Sequence, residues 1–137
     1  MEINRELLNR RIMEIKRAVE ELKSIASEGE ENFLSNPTGI DAAKYKLVVA
    51  IEAALSICNH IAARLEKKIP ESYSDCFIIL GEEGVLSIDL SKRLARMAKF
   101  RNMLVHIYWG IDNAKIYEII QNDLKDLEEF TCEVGKI

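Results

Sequence analysis

Between residues 42 and 63 the chain carries apolar side chains around more than half the circumference of a helix. Ala43, Leu47, Ala50, Ala54, Ile57, Ile61 and Leu65 recur in steps of three and four, and Val48, Ile51, Leu55, Cys58 and Ala62 widen that stripe. A helix this apolar has to be covered by other helices on several sides, so residues 41–67 are expected to form the central, most buried element. Lys44, Lys46, Glu52 and His60 interrupt the stretch, which argues for a core helix and against a membrane span.

The rest of the chain supplies the covering elements. Over residues 3–27, Leu8, Ile12, Ile15, Val19, Leu22 and Ala26 alternate steps of four and three, the stripe of one long amphipathic helix. Residues 28–36 are charged and then poor in apolar side chains, and Asn36-Pro37 offers an N-cap followed by proline at the first helical position. Pro70 ends the central helix region. Residues 74–80 then read as a short helix closed by Gly81 in a left-handed cap, with 81–87 a loop. A third long helix starts at Ser87 or Asp89, carries Leu90, Leu94, Met97, Leu104 and Val105, and ends near Trp109-Gly110. Asp112 caps a fourth long helix bearing Ile116, Ile120, Leu124, Leu127 and Val134. Only 2 prolines and 6 glycines interrupt 137 residues, and no strand-like alternation occurs. The expected fold is all-α, one domain over residues 1–137: an up-and-down bundle of four long helices plus a short one.

Cys58, Cys76 and Cys132 are odd in number, widely spaced and outside any CxxC pair, a pattern suited to free thiols in a reducing cytosol. The first residues, Met1-Glu2-Ile3-Asn4-Arg5, hold no apolar leader, so a cytoplasmic protein is expected. With 19 Lys and Arg against 23 Asp and Glu, the net charge of −4 gives the whole molecule no attraction for polyanions. The charge is unevenly placed, however. Lys92, Arg93, Arg96, Lys99 and Arg101 fall in an eleven-residue window without an acid; taking these five from 19 leaves 14 basic against 23 acidic residues elsewhere. A basic strip lies on an acidic body, and the last helix, with Glu118, Asp123, Asp126, Glu128, Glu129 and Glu133, is a solvated face or a partner surface.

The strip runs directly into Arg101-Asn102-Met103-Leu104-Val105-His106-Ile107-Tyr108. On a helix, positions seven apart differ by about 20°, so His106 continues the line of Lys99 while Arg101 and Tyr108 continue the apolar line of Leu90, Leu94 and Met97. An arginine on an inward line needs partners, because burying an unpaired guanidinium is costly. Arg101 and His106 are about 140° apart around a straight helix, so they converge on one ligand if the arginine reaches round, the helix distorts, or a second chain completes the cleft.

Arginine offers a planar fork for phosphate, histidine titrates near neutrality, and a tyrosine hydroxyl donates to an oxyanion. The set suits cleavage of RNA without a metal: a base takes the 2′-hydroxyl proton, that oxygen attacks the adjacent phosphate, and a cation holds the developing charge. No cluster has metal-ligand spacing and no glycine-rich phosphate loop is present, so neither a metal nor a cofactor is expected. The same residues also fit a plain scaffold in which Arg101 is an ion-paired core residue. His60 reads as a hydrogen-bonded core residue, Tyr45, Tyr73 and Tyr117 as packing residues, and Trp109 as a plug at the bundle end.

The segment from Phe100 to Trp109, with Asp112 after it, resembles the RNxLVHxY signature of HepT-like toxins, small HEPN-domain ribonucleases. The likeness extends through the second helix, Pro70-Glu71-Ser72-Tyr73, Leu80-Gly81-Glu82-Glu83-Gly84 and Leu127-Glu128-Glu129-Phe130, and so covers most of the chain in order. The resemblance implies a helical domain that dimerises so that the motifs of two chains share a cleft. It implies endoribonuclease activity with Arg101 and His106 as the catalytic pair and Asn102 as the polar residue beside the arginine; Tyr108 is read as a supporting donor, and the charge pattern makes Lys92, Arg96 and Lys99 the strip expected to bind RNA. It further implies a toxin paired with a minimal nucleotidyltransferase antitoxin, which silences it by transferring AMP onto Tyr108. The alternative is a noncatalytic nucleotide-binding module that serves as partner and substrate of such a transferase.

Overall fold

The computed structural model describes residues 2–107 and 110–137, and these are helical throughout their regular structure. The helices are α1 (Arg5–Ala26), α2 (Glu30–Leu34), α3 (Pro37–Leu65), α4 (Tyr73–Glu82), α5 (Ile88–His106), α6 (Asn113–Asn122) and α7 (Leu124–Val134).

Short polar side chains set where they begin. Asn4 accepts from the Leu7 N–H at 3.1 Å, Asn36 from Gly39 at 3.0 Å, Ser72 from Asp75 at 3.1 Å, Ser87 from Leu90 at 3.1 Å and Asp112 from Ala114 at 2.9 Å. Each bond satisfies an N–H that the first helical turn leaves without a partner. Because Asn36 caps and Pro37 occupies the first turn, α3 begins at Pro37, ahead of the expected residue 41.

α3 contacts every other helix, which matches its apolar circumference. Although long and apolar enough to cross a membrane by composition, it has Ala43, Leu47, Ala50, Ala54, Ile57 and Ile61 fully buried against its neighbours. Burying each leucine or isoleucine contributes about 1.5–3 kcal/mol before chain entropy is counted. α1 runs antiparallel to α3, since Asn4 meets His60, Arg11 meets Ser56 and Glu21 pairs with Lys46. α4 and α5 form a second antiparallel pair, and α7 lies between α1 and α5 through Lys23–Glu128 and Arg93–Glu129.

Three expectations are corrected. The fourth long helix is divided at Asp123 into α6 and α7. The charged stretch before Asn36 holds a short helix, α2, entered through Gly29 at φ +92° and pinned by fully buried Phe33. Gly81 is no cap: it is a buried residue of α4, where a Cβ would come 2.3 Å from the Ser91 Oγ of α5. Glycine at 81 therefore lets the two helices approach, and the left-handed residue after α4 is Gly84, at φ +77°. α5 ends at His106 with Ile107 as its cap, donating to Met103 O at 2.8 Å; the expected end at Trp109 lies outside the described residues.

Candidate active site

Arg101 lies on the same line of α5 as buried Leu90, Leu94 and Met97, and its side chain is only 12% exposed. Three helices supply its surroundings. Nη2 pairs with Glu52 of α3, Nη1 donates to Asn102 Oδ1 at 3.0 Å, and the guanidinium carbon lies 5.2 Å from the Tyr73 ring centroid at the start of α4. That distance is within range of a cation–π contact. Nε is buried with no hydrogen-bond partner among the described residues.

The inward-facing arginine thus finds partners at Nη1, at Nη2 and on its face, but not at Nε among the described residues, and the sequence singled out neither Glu52 nor the stacking role of Tyr73. Tyr45, 68% exposed, is not the packing residue expected, whereas Tyr73, 44% exposed, packs one ring face on Arg101. Tyr117 is one: it meets Phe33 at 5.5 Å between ring centroids and donates to Ala26 O at 3.2 Å.

His106 is the last residue of α5 and is exposed, in line with exposed Lys92, Arg96, Lys99 and Met103. The histidine therefore does extend the basic strip. α5 is continuous from Arg101 to His106, so the two stay about 140° apart, and no helix distortion brings them together within one chain. Tyr108 lies outside the described residues.

Lys92, Arg96 and Lys99 line a groove of about 480 Å³ whose opposite wall is the start of α4, with Glu71, Ser72, Ser74 and Asp75. No carboxylate among the described residues is ion-paired to these three cations. Arg93 differs. It faces away from the groove onto Asp89 at 3.0 Å, buried Asp126, and Glu129 at 3.0 Å, and Glu129 and Asp126 together raise its pKa. Of the five basic residues in the strip, two are therefore neutralised by carboxylates and three face the groove.

His60 is hydrogen-bonded, as expected, but half-buried instead of in the core: its Nε2 accepts from the Asn4 N–H at 3.0 Å, where α1 begins. Cys58 and Cys76 are buried free thiols, Cys132 is exposed, and burial, with Cys76 adjacent, pushes the Cys58 thiol far up. No group of three or more metal-ligating side chains occurs among the described residues.

Residues 15–134, a span that includes every helix positioning Arg101, match the family described as ribonuclease HepT-like. The chain belongs to the HepT-like family. It is 28% identical over 125 residues to the mRNA nuclease HepT of Shewanella oneidensis, covering 91% of this chain and 93% of that protein. With the tRNA nuclease HepT of Aphanizomenon flos-aquae it shares 27% identity over 129 residues, 94% of this chain and 88% of that one. Among solved structures, the tri-AMPylated HEPN toxin of S. oneidensis in complex with an MNT antitoxin superposes at a TM-score of 0.88, with 27% identity over 96% of this chain and 98% of that one. A HEPN-type helical bundle is the HepT-like architecture seen here.

Proposed function

We infer that this HepT-like protein is the toxin of a toxin–antitoxin pair and acts as a metal-independent endoribonuclease in the cytoplasm. The observation that carries the reading is Arg101, its side chain 12% exposed and seated by three helices, on the same helix α5 that lines a separate groove with Lys92, Arg96 and Lys99, within a chain of the HepT-like family. Lys92, Arg96 and Lys99 hold the RNA backbone, and Arg101 takes the phosphate at the bond to be cut. Asn102 fixes the guanidinium plane through Nη1.

His106 takes the proton from the 2′-hydroxyl, that oxygen attacks the adjacent phosphorus, and the bond to the 5′-oxygen breaks as that oxygen gains a proton. Arg101 balances the charge on the phosphorane oxygens. The wide angle between Arg101 and His106 supports a homodimer in which two copies contribute to one cleft. Neutralisation is by transfer of AMP onto Tyr108 by a minimal nucleotidyltransferase antitoxin; the AMPylated state of the S. oneidensis neighbour supports this. The added phosphate brings negative charge and bulk into the motif that handles the RNA phosphate, and so opposes RNA binding.

Purified protein should degrade RNA, and His106→Ala should do so about 10²–10⁴-fold more slowly, the usual worth of one acid–base group. Equal degradation by both, or by neither, rejects the nuclease reading. The second reading, a noncatalytic module modified by the transferase, gains support if neither cuts RNA but co-expression with the antitoxin still adds AMP-sized mass at Tyr108.

A further inference from the structure

Glu52 occupies the atom of Arg101 that a phosphate would use. A guanidinium grips an oxyanion most specifically along one edge, where Nε–H and one Nη–H point the same way. On Arg101, Nη1 is engaged by Asn102 and Nη2 by Glu52, while the neighbouring Nε is buried without a partner among the described residues. The edge formed by Nε and Nη2 is thus held at a single point.

The two ends of this ion pair are also differently placed. The Arg101 side chain is 12% exposed and is stacked on Tyr73, whereas Glu52 is 46% exposed on the outer side of α3. The arginine is held on several sides and the carboxylate on one. If either moves, it is the glutamate, which water can solvate at small cost.

We propose that Glu52 is a displaceable counter-ion: it neutralises and orients Arg101 in the free protein, and an RNA phosphate replaces it on the Nη2 edge. The inference rests on the reading of Arg101 as the phosphate clamp and adds to it a positioning residue that sets RNA affinity. Glu52 meets two needs. It keeps a nearly buried charge from standing alone before substrate arrives, and it makes every bound phosphate compete with a carboxylate. A tetrahedral phosphate can take both Nε–H and Nη2–H once the carboxylate has left, so the exchange replaces a one-point contact with a two-point one.

The test is binding of a 2′-O-methyl RNA oligonucleotide, which cannot supply the attacking hydroxyl and so reports affinity separately from cleavage. Glu52→Gln should tighten binding about three- to tenfold, in keeping with release of one partly exposed ion pair. Glu52→Asp, which keeps the charge on a shorter stem, should tighten it less, and it reads the same effect should Glu52→Gln fail to fold. In an Arg101→Gln background the gain should vanish, since the competition is for that guanidinium. Unchanged or weaker binding by Glu52→Gln overturns the proposal, as does an equal gain without Arg101, which would mark a general charge effect. Failure of the nuclease reading would show separately, as an unmodified RNA left uncut by the parent protein.

Discussion

The Arg101 guanidinium of α5 stands 5.2 Å from the Tyr73 ring of α4, so the antiparallel contact of these two helices forms one wall of the arginine's seat. That contact is set further along the pair, where α4 presents Gly81 to Ser91.

Gly81→Ala should therefore do more than change helix propensity. Its Cβ would lie 2.3 Å from Ser91 Oγ and 2.6 Å from Ser91 Cβ, so the helices must separate, at a cost of about 1–3 kcal/mol. Urea unfolding should show this loss, and in a Ser91→Gly background the penalty of the alanine should largely disappear. A full penalty in both backgrounds would mean that Ser91 is not the obstacle.

Arg93→Met should destabilise the bundle by about 2–4 kcal/mol, because the Asp126 carboxylate, 5% exposed, loses its charge partner. Adding Asp126→Asn removes the stranded charge and should recover part of the loss. Chemical denaturation of the two variants decides it: no recovery would place the cost in packing of the arginine stem.

How far the sequence reveals the site can be followed through Arg101. Periodicity puts Arg101 on an inward line and His106 on the outward basic line, and both placements hold, because rotation about a helix depends only on spacing. Spacing says nothing of what stands across the gap. Glu52 lies 49 residues away on the outer side of α3, one carboxylate among many, and only the packing of α5 on α3 selects it. Gly81 was legible as a special residue but not as an approach point, since its partner Ser91 belongs to the next helix. The break at Asp123 left no signal either: Ile116, Ile120, Leu124 and Leu127 continue one stripe through it without proline or glycine. In α2, one apolar side chain, Phe33, is enough to anchor a five-residue helix.

His60 gives the fold a pH dependence of definite sign. Protonating Nε2 breaks its bond to the Asn4 N–H, and burial, then the Arg64 charge, lower its pKa below the ordinary value. The unfolded chain therefore takes up the proton first. The stabilisation is fully present above about pH 6.5, the unfolded value, and is lost as pH falls through the lowered folded value. The thermal midpoint of the parent should drop more steeply than that of His60→Gln between about pH 7 and pH 5. Equal slopes would remove His60 from the account.

The groove beside α4 makes a prediction about salt. Lys92→Ala, Arg96→Ala and Lys99→Ala should each weaken RNA binding across sequences alike and reduce the slope of log affinity against log salt by about 0.7, one phosphate contact on a single strand. Unaltered slopes would place the RNA path elsewhere.

The central claim is that Arg101 and His106 cut RNA by way of its own 2′-hydroxyl, and the chemical ends of the product test it most directly. Digestion of a defined RNA in excess chelator, followed by mass spectrometry of the fragments, should yield 2′,3′-cyclic phosphates and 5′-hydroxyls, lost in His106→Ala. Fragments ending in 3′-hydroxyls and 5′-phosphates, or cleavage abolished by the chelator, would contradict it.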